Sequence, residues 1–128
     1  MAGPILFVSH SRIREGRFEE LRELAPTFFS AIEADRPGTV VFLGYANEAR
    51  DEVVFVHVFP DAEGFDRHLE GVRERMDKAL EVIELLRYEI YGQPSAETMA
   101  AMRGFAAELG APLEHHPVEL GGYVRPGR

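Results

Sequence analysis

Residues Thr39–Phe59 read TVVFLGYANEARDEVVFVHVF, two β-branched and aromatic runs around a short polar connector. The connector, Asn47-Glu48-Ala49-Arg50-Asp51, has hairpin length, so Thr39–Ala46 and Glu52–Phe59 are expected to pair as antiparallel strands. Successive side chains of a strand point to opposite faces, which puts Val54, Val56 and Val58 on one side and Val53, Phe55, His57 and Phe59 on the other. Both sets are largely apolar. A sheet with one solvated face would alternate apolar and polar residues, so both faces of this hairpin need cover.

The flanking sequence supplies cover for one face. Pro4–Ile13 (PILFVSHSRI) starts apolar and then alternates, the pattern of a strand whose end becomes wet. From Glu15 the period turns helical, with Phe18, Leu21, Ala25, Phe28 and Ile32 on one stripe; Pro26 is expected to kink or restart this helix, and Arg36-Pro37-Gly38 to end it. After the hairpin, Asp61 is a plausible N-cap for a helix with Phe65, Leu69, Val72 and Met76 as its buried stripe, weakened by Gly71 in its interior. Ala79–Leu86 reads as a continuation of that helix or a short separate one, and Tyr88–Tyr91 as a fourth strand. Ser95 caps a last helix with Met99, Met102, Ala106 and Leu109 inward and Gly110 as its stop, before an irregular strand or arm over Pro112–Arg125.

The order β-α-β-β-α-β predicts an α+β, ferredoxin-like antiparallel sheet with its helices on one face, followed by a C-terminal α-β extension. The helices leave the second apolar face bare. A second copy packed sheet to sheet would cover it, giving a homodimeric α/β barrel. A chain of 128 residues fits one domain, 1–128, with a core over 1–92 and the extension over 93–128.

Composition narrows the function classes. With 22 acidic against 14 basic groups the net charge is −8, which disfavours binding to nucleic acid or to an anionic membrane surface. No apolar run approaches the roughly 20 residues that span a bilayer. The chain has no cysteine, hence no disulfide, thiol nucleophile or thiolate metal site. A cytoplasmic protein is expected.

With residues in this order the chain resembles the antibiotic biosynthesis monooxygenase-like families of the dimeric α/β-barrel superfamily. ILFVSHSRI followed by REGRFEELREL, then APTFFSAIEADRPGTVVF, VFPDAEGFDRHLEG and RYEIYG carry the resemblance, which spans Pro4 to Gly92. It implies a cofactor-independent monooxygenase, using neither metal nor flavin, that deprotonates an aromatic phenol or quinol so that the substrate itself reduces dioxygen. The absence of tryptophan separates the chain from the haem-degrading relatives of that superfamily and from its best-known quinone-forming members.

Such chemistry needs a base, a donor for the developing oxyanion and a dry pocket. His68, three residues after Phe65 and four before Val72, borders the buried helix stripe and is the candidate base or substrate donor. The resemblance also implies a histidine at this helix position. His57 shares its strand face with Val53, Phe55 and Phe59, and His10 lies with Leu6, Val8 and Arg12. Arg12 is the nearest candidate oxyanion donor. His57, His10 and Arg12 are expected to line the same pocket as His68, with Phe42, Tyr45, Phe55, Phe59 and Phe65 against a small aromatic ligand. His115-His116 does not read as a metal pair, because neighbours in a strand diverge and no third ligand stands at a telling spacing. Each histidine also has a plain structural reading as a packed core or boundary residue. The alternative function is a non-catalytic ligand-binding or dimerisation module of the same fold.

Overall fold

The two-sided hairpin forms as the sequence predicts: β2 (Val41–Ala46) pairs antiparallel with β3 (Glu52–Phe59). It belongs to a computed structural model that describes residues 3–125, so residues 1–2 and 126–128 of the 1–128 domain reading lie outside the described residues. The other elements are β1 (Ile5–Ile13), α1 (Phe18–Asp35), α2 (Ala62–His68), α3 (Val72–Ala79), β4 (Ile83–Tyr91), α4 (Ala96–Glu108) and β5 (Leu113–His116). The strands form an open sheet in the order β2-β3-β1-β4-β5, antiparallel except for the parallel pair β4-β5. This is an α+β, ferredoxin-like arrangement.

Register decides which side chains meet. Phe42, His57, Phe7 and Ile90 are directly paired across β2, β3, β1 and β4, so they form one row on one face. That face carries the helices. Ile5, Phe7, Phe59, Phe65, Tyr88 and Ile90 pack with Met102 and Ala106 of α4 in one buried cluster, and Ile13, Leu21, Val53, Val82 and Ile83 form a second. On the opposite face Leu6, Val8, Val41, Val54, Val56 and Val58 are half-buried, while Leu43 and Tyr45 are exposed.

Three local expectations are corrected. The helix read from Asp61 onward is broken at Gly71, whose φ of 73° lies in the left-handed region open to glycine, and the chain re-enters a helix as α3. Val72 and Met76 are consequently only half-buried. Ile83–Leu86 is not helical but the first part of β4, where Val82 and Ile83 enter the core. A bulge opposite His10 and Ser11 leaves Leu86 without a partner in β1, which places two leucines in succession and blurs the strand alternation. Of the two outcomes expected at Pro26, a kink or a restart, the restart does not occur: α1 runs through it as one helix, and Pro26 sits at an exposed position where water can meet the carbonyl whose amide partner proline lacks.

The extension is built into the same core. Ser95 caps α4 by accepting from the Thr98 amide at 3.1 Å, and its hydroxyl donates to Asp66 Oδ1 of α2 at 2.7 Å. Met102 is 1% exposed. Tyr123, in the arm that follows β5, is 83% exposed. Among the described residues no helix is long and apolar enough to cross a membrane.

Candidate active site

Between the helices and the sheet lies a cavity of about 140 Å3. Its floor comes from Phe7, Ser9 and Ser11 of β1, Phe42 of β2, Phe55 and His57 of β3 and Tyr88 of β4. Every helix contributes to the roof, including His68 from α2, Arg75 and Met76 from α3, and Met102 and Phe105 from α4.

His57 is held by its neighbours in the register. Its ring stacks on Phe7 at 4.6 Å and on Phe42 at 4.4 Å between centroids, so the imidazole sits between two phenyl faces. Its Nδ1 lies 2.9 Å from the Phe7 carbonyl oxygen. A carbonyl can only accept, so Nδ1 carries the proton and Nε2 presents a lone pair. His68, the last residue of α2, reaches its position because Asp61 caps that helix through the Gly64 amide at 2.9 Å. Its Nδ1 lies 2.8 Å from Thr39 Oγ1, and its ring meets His57 edge to face at 4.9 Å. The Thr39 hydroxyl can donate or accept, so either tautomer of His68 is served.

Neither Nε2 has a hydrogen-bond partner among the described residues, and neither is sealed from solvent, since the Nε of Arg36 is the only buried side-chain polar atom there without a partner. Both histidines line the cavity. Burial is the main force on their charge: it lowers His57 to about 4 against a slight lift from the Phe7 carbonyl. Burial again, then the neighbouring His57 and the cation of Arg75, lower His68 to about 2. Both rings are neutral at pH 7. Tyr88, in the floor, is raised by burial to about 12 and keeps its proton.

The structure thus brings together His57, His68, Phe42 and Phe55. It separates the rest. His10 and Arg12 project from the opposite face of the sheet, where His10 Nε2 meets Glu89 Oε1 at 2.5 Å and Arg12 meets Glu84 at 3.3 Å, so they do not share the pocket of His68. The reason is strand parity: they alternate with Phe7, Ser9 and Ser11. Tyr45 is on that same far face and 61% exposed. Phe59 and Phe65 are fully buried, stacked on each other at 4.5 Å in the core rather than along the cavity. His115 Nε2 bonds the Gly92 carbonyl at 2.9 Å and His116 stacks on Tyr91, so the two histidines diverge.

Sequence reasoning missed Arg75, Ser9 and Ser11. Arg75 follows Val72 by three residues and adjoins Met76, a placement on the edge of the apolar stripe that signals a partly inward cation. Ser9 and Ser11 look like the wet end of a strand; they are instead the polar part of the cavity floor, with Ser11 only 2% exposed.

No protein-family model matches the chain, and no curated protein matches it in sequence. Solved structures do match. MupZ from Pseudomonas fluorescens aligns with a TM-score of 0.74 at 21% identity over 98% of this chain and 92% of that one. SnoaB from Streptomyces nogalater, described as a cofactor-independent oxygenase and solved as a point mutant, aligns at 0.55 and 18% identity over 74% and 97%. A protein from Bacteroides thetaiotaomicron, provisionally named an antibiotic biosynthesis monooxygenase, aligns at 0.57 and 16% identity over 69% and 85%. The chain has the fold of the antibiotic biosynthesis monooxygenase-like proteins. The last two cover a share close to that of residues 1–92 alone, whereas the likeness to MupZ takes in the extension as well.

Proposed function

We propose that the protein is a cofactor-independent monooxygenase acting on an aromatic phenol or quinol bound between sheet and helices. The observation that carries this reading is the pair of imidazoles, edge to face at 4.9 Å, that line one apolar cavity. The lone pair on His57 Nε2 accepts the phenolic proton, because its other nitrogen is committed to the Phe7 carbonyl. A depressed pKa makes this ring a weak base when the site is empty. A bound phenolate reverses that, since an imidazolium beside an anion in a dry cavity regains the stabilisation that burial removed. His68 completes the site by donating from Nε2 to the same oxygen, with its Nδ1 accepting from the Thr39 hydroxyl.

The electrons come from the substrate. One passes from the phenolate to dioxygen, the radical pair combines as a ring hydroperoxide, and loss of water leaves a quinone; of the two oxygen atoms one stays in the product and one leaves as water. An apolar enclosure favours this sequence because it keeps bulk water from the intermediates. A homodimer formed through the far sheet face belongs to the proposal, since that face carries Leu6, Val8, Val54, Val56 and Val58 half-buried beside the exposed Leu43 and Tyr45.

The test is aerobic incubation with a panel of phenols and quinols, following oxygen uptake with and without a chelator. Chelator-insensitive uptake with a product that has gained one oxygen and lost two hydrogens supports the oxygenase. Binding with no uptake for any member favours the non-catalytic ligand-binding module, a reading that the low basicity of the two empty-site imidazoles also fits.

A further inference from the structure

Among the described residues, Arg75 is the only charged side chain lining the cavity. It donates through Nη1 to the Glu70 carbonyl at 2.8 Å and through Nη2 to the His68 carbonyl. Arg36, at the C-terminal end of α1, sends its Nη2 to the same Glu70 carbonyl at 3.0 Å. Two guanidinium groups therefore converge over Gly71, where even a Cβ would lie only 3.6 Å from Arg75 Nη1 and 4.0 Å from Arg36 Nη2. Neither has a carboxylate partner among the described residues, although Arg12, Arg17, Arg22, Arg50, Arg67 and Arg73 all do. In a chain with 22 acidic groups and 14 basic ones, carboxylates are in excess, and still none meets this pair.

The carbonyls satisfy donors but leave the charge uncompensated. Burial and the nearby Arg36 both push the Arg75 guanidinium below its usual range, the mark of a cation short of a counter-charge. Independently, the Nε–H of Arg36 is buried with no acceptor, the one such side-chain atom among the described residues. An anion placed beside Arg75 would supply the counter-charge that both guanidinium groups lack.

We infer that the arginine pair is an anion subsite and that the ligand is an aromatic acid, its carboxylate held by Arg75 with Arg36 behind, and its ring over Phe7, Phe42 and Phe55. Only the orientation of the phenolic end toward His57 rests on the oxygenase reading above. A cavity of about 140 Å3 suits a single ring, being near the roughly 150 Å3 of an apolar cavity that takes benzene.

The experiment compares 4-hydroxybenzoate with its neutral isostere 4-hydroxybenzamide by titration calorimetry at pH 7 and low salt. The acid should bind about tenfold tighter or more, as a charge-assisted contact requires. Arg75→Gln should bring the two within about twofold of each other, and Arg36→Gln should remove part of the preference. If Arg75→Gln is unfolded by circular dichroism, the native protein and Arg36→Gln decide. The preference must then shrink as salt is added to the native protein, and must be smaller in Arg36→Gln. Equal affinity for acid and amide overturns the subsite, as does a preference that survives Arg75→Gln or added salt, or no binding of the acid at millimolar concentration. Arg75-dependent binding of acids without oxygen uptake keeps the subsite and removes the oxygenase; neutral phenols consumed as fast as acids do the reverse.

Discussion

His57 and His68 make stability depend on pH in a defined direction. Both have folded values below the 6.5 of an unfolded imidazole, about 4 and about 2. Above pH 6.5 neither state binds the protons and the rings add no slope. Below it the unfolded chain takes up two protons that the folded one refuses, so stability falls with pH by about 1.4 kcal/mol per unit for each ring. Urea unfolding at pH 7 and pH 5 should show this loss, and His57→Phe should remove about half of it. Equal midpoints at the two pH values would mean that the rings are not buried as described. The phenyl ring of His57→Phe fits the slot between Phe7 and Phe42, so the fold should hold while oxygen uptake falls by about a hundredfold or more. His68→Ala should lose turnover to a similar extent. Which way His57 points was legible from strand parity, and so was the far face of His10 and Arg12; grouping all of them in one pocket ignored that parity. Arg75 was hidden for a different reason, since a charge within a run of charges on a helix reads as solvated until the neighbouring elements are placed.

At the scale of elements, the passage of α2 over the turn before β2 sets the histidine geometry. Gly38 and Gly64 approach so closely that a Cβ on Gly64 would stand 2.7 Å from the Gly38 carbonyl oxygen, a backbone atom that cannot swing aside. Gly64→Ala should therefore push α2 off the turn, destabilise by about 1–3 kcal/mol and weaken the His68–Thr39 contact. Denaturant melts combined with oxygen uptake check it; a variant as stable and as active as the parent would show that the helix yields freely. The hairpin, the first helix and the capped fourth helix were readable because each has an unbroken period or a cap. The Val82–Leu86 segment was not, because a bulge interrupts the alternation that marks a strand, and Gly71 was read as a weakness rather than a break because its positive φ has no sequence signature beyond glycine itself.

For the whole molecule, the half-buried valine rows of the far face predict association. Val56 lies on the far face beside Val8 and Leu43, so Val56→Lys should convert a dimer into a monomer by light scattering at micromolar concentration. A native protein that is already monomeric would remove the dimer from the proposal. Truncation after Gly92 strips Met102 and Ala106 from the main core, so the shortened chain should lose its cooperative unfolding transition. Met102 and Phe105 of α4 and Leu109, which follows it, also line the cavity, on a segment that carries neither histidine. The appended segment thus shares the lining with the elements that hold the imidazoles. Phe105 and Leu109 are only half-buried, unlike Met102 in the core, so exchanging those two should retune which molecules are admitted while the imidazoles stay in place.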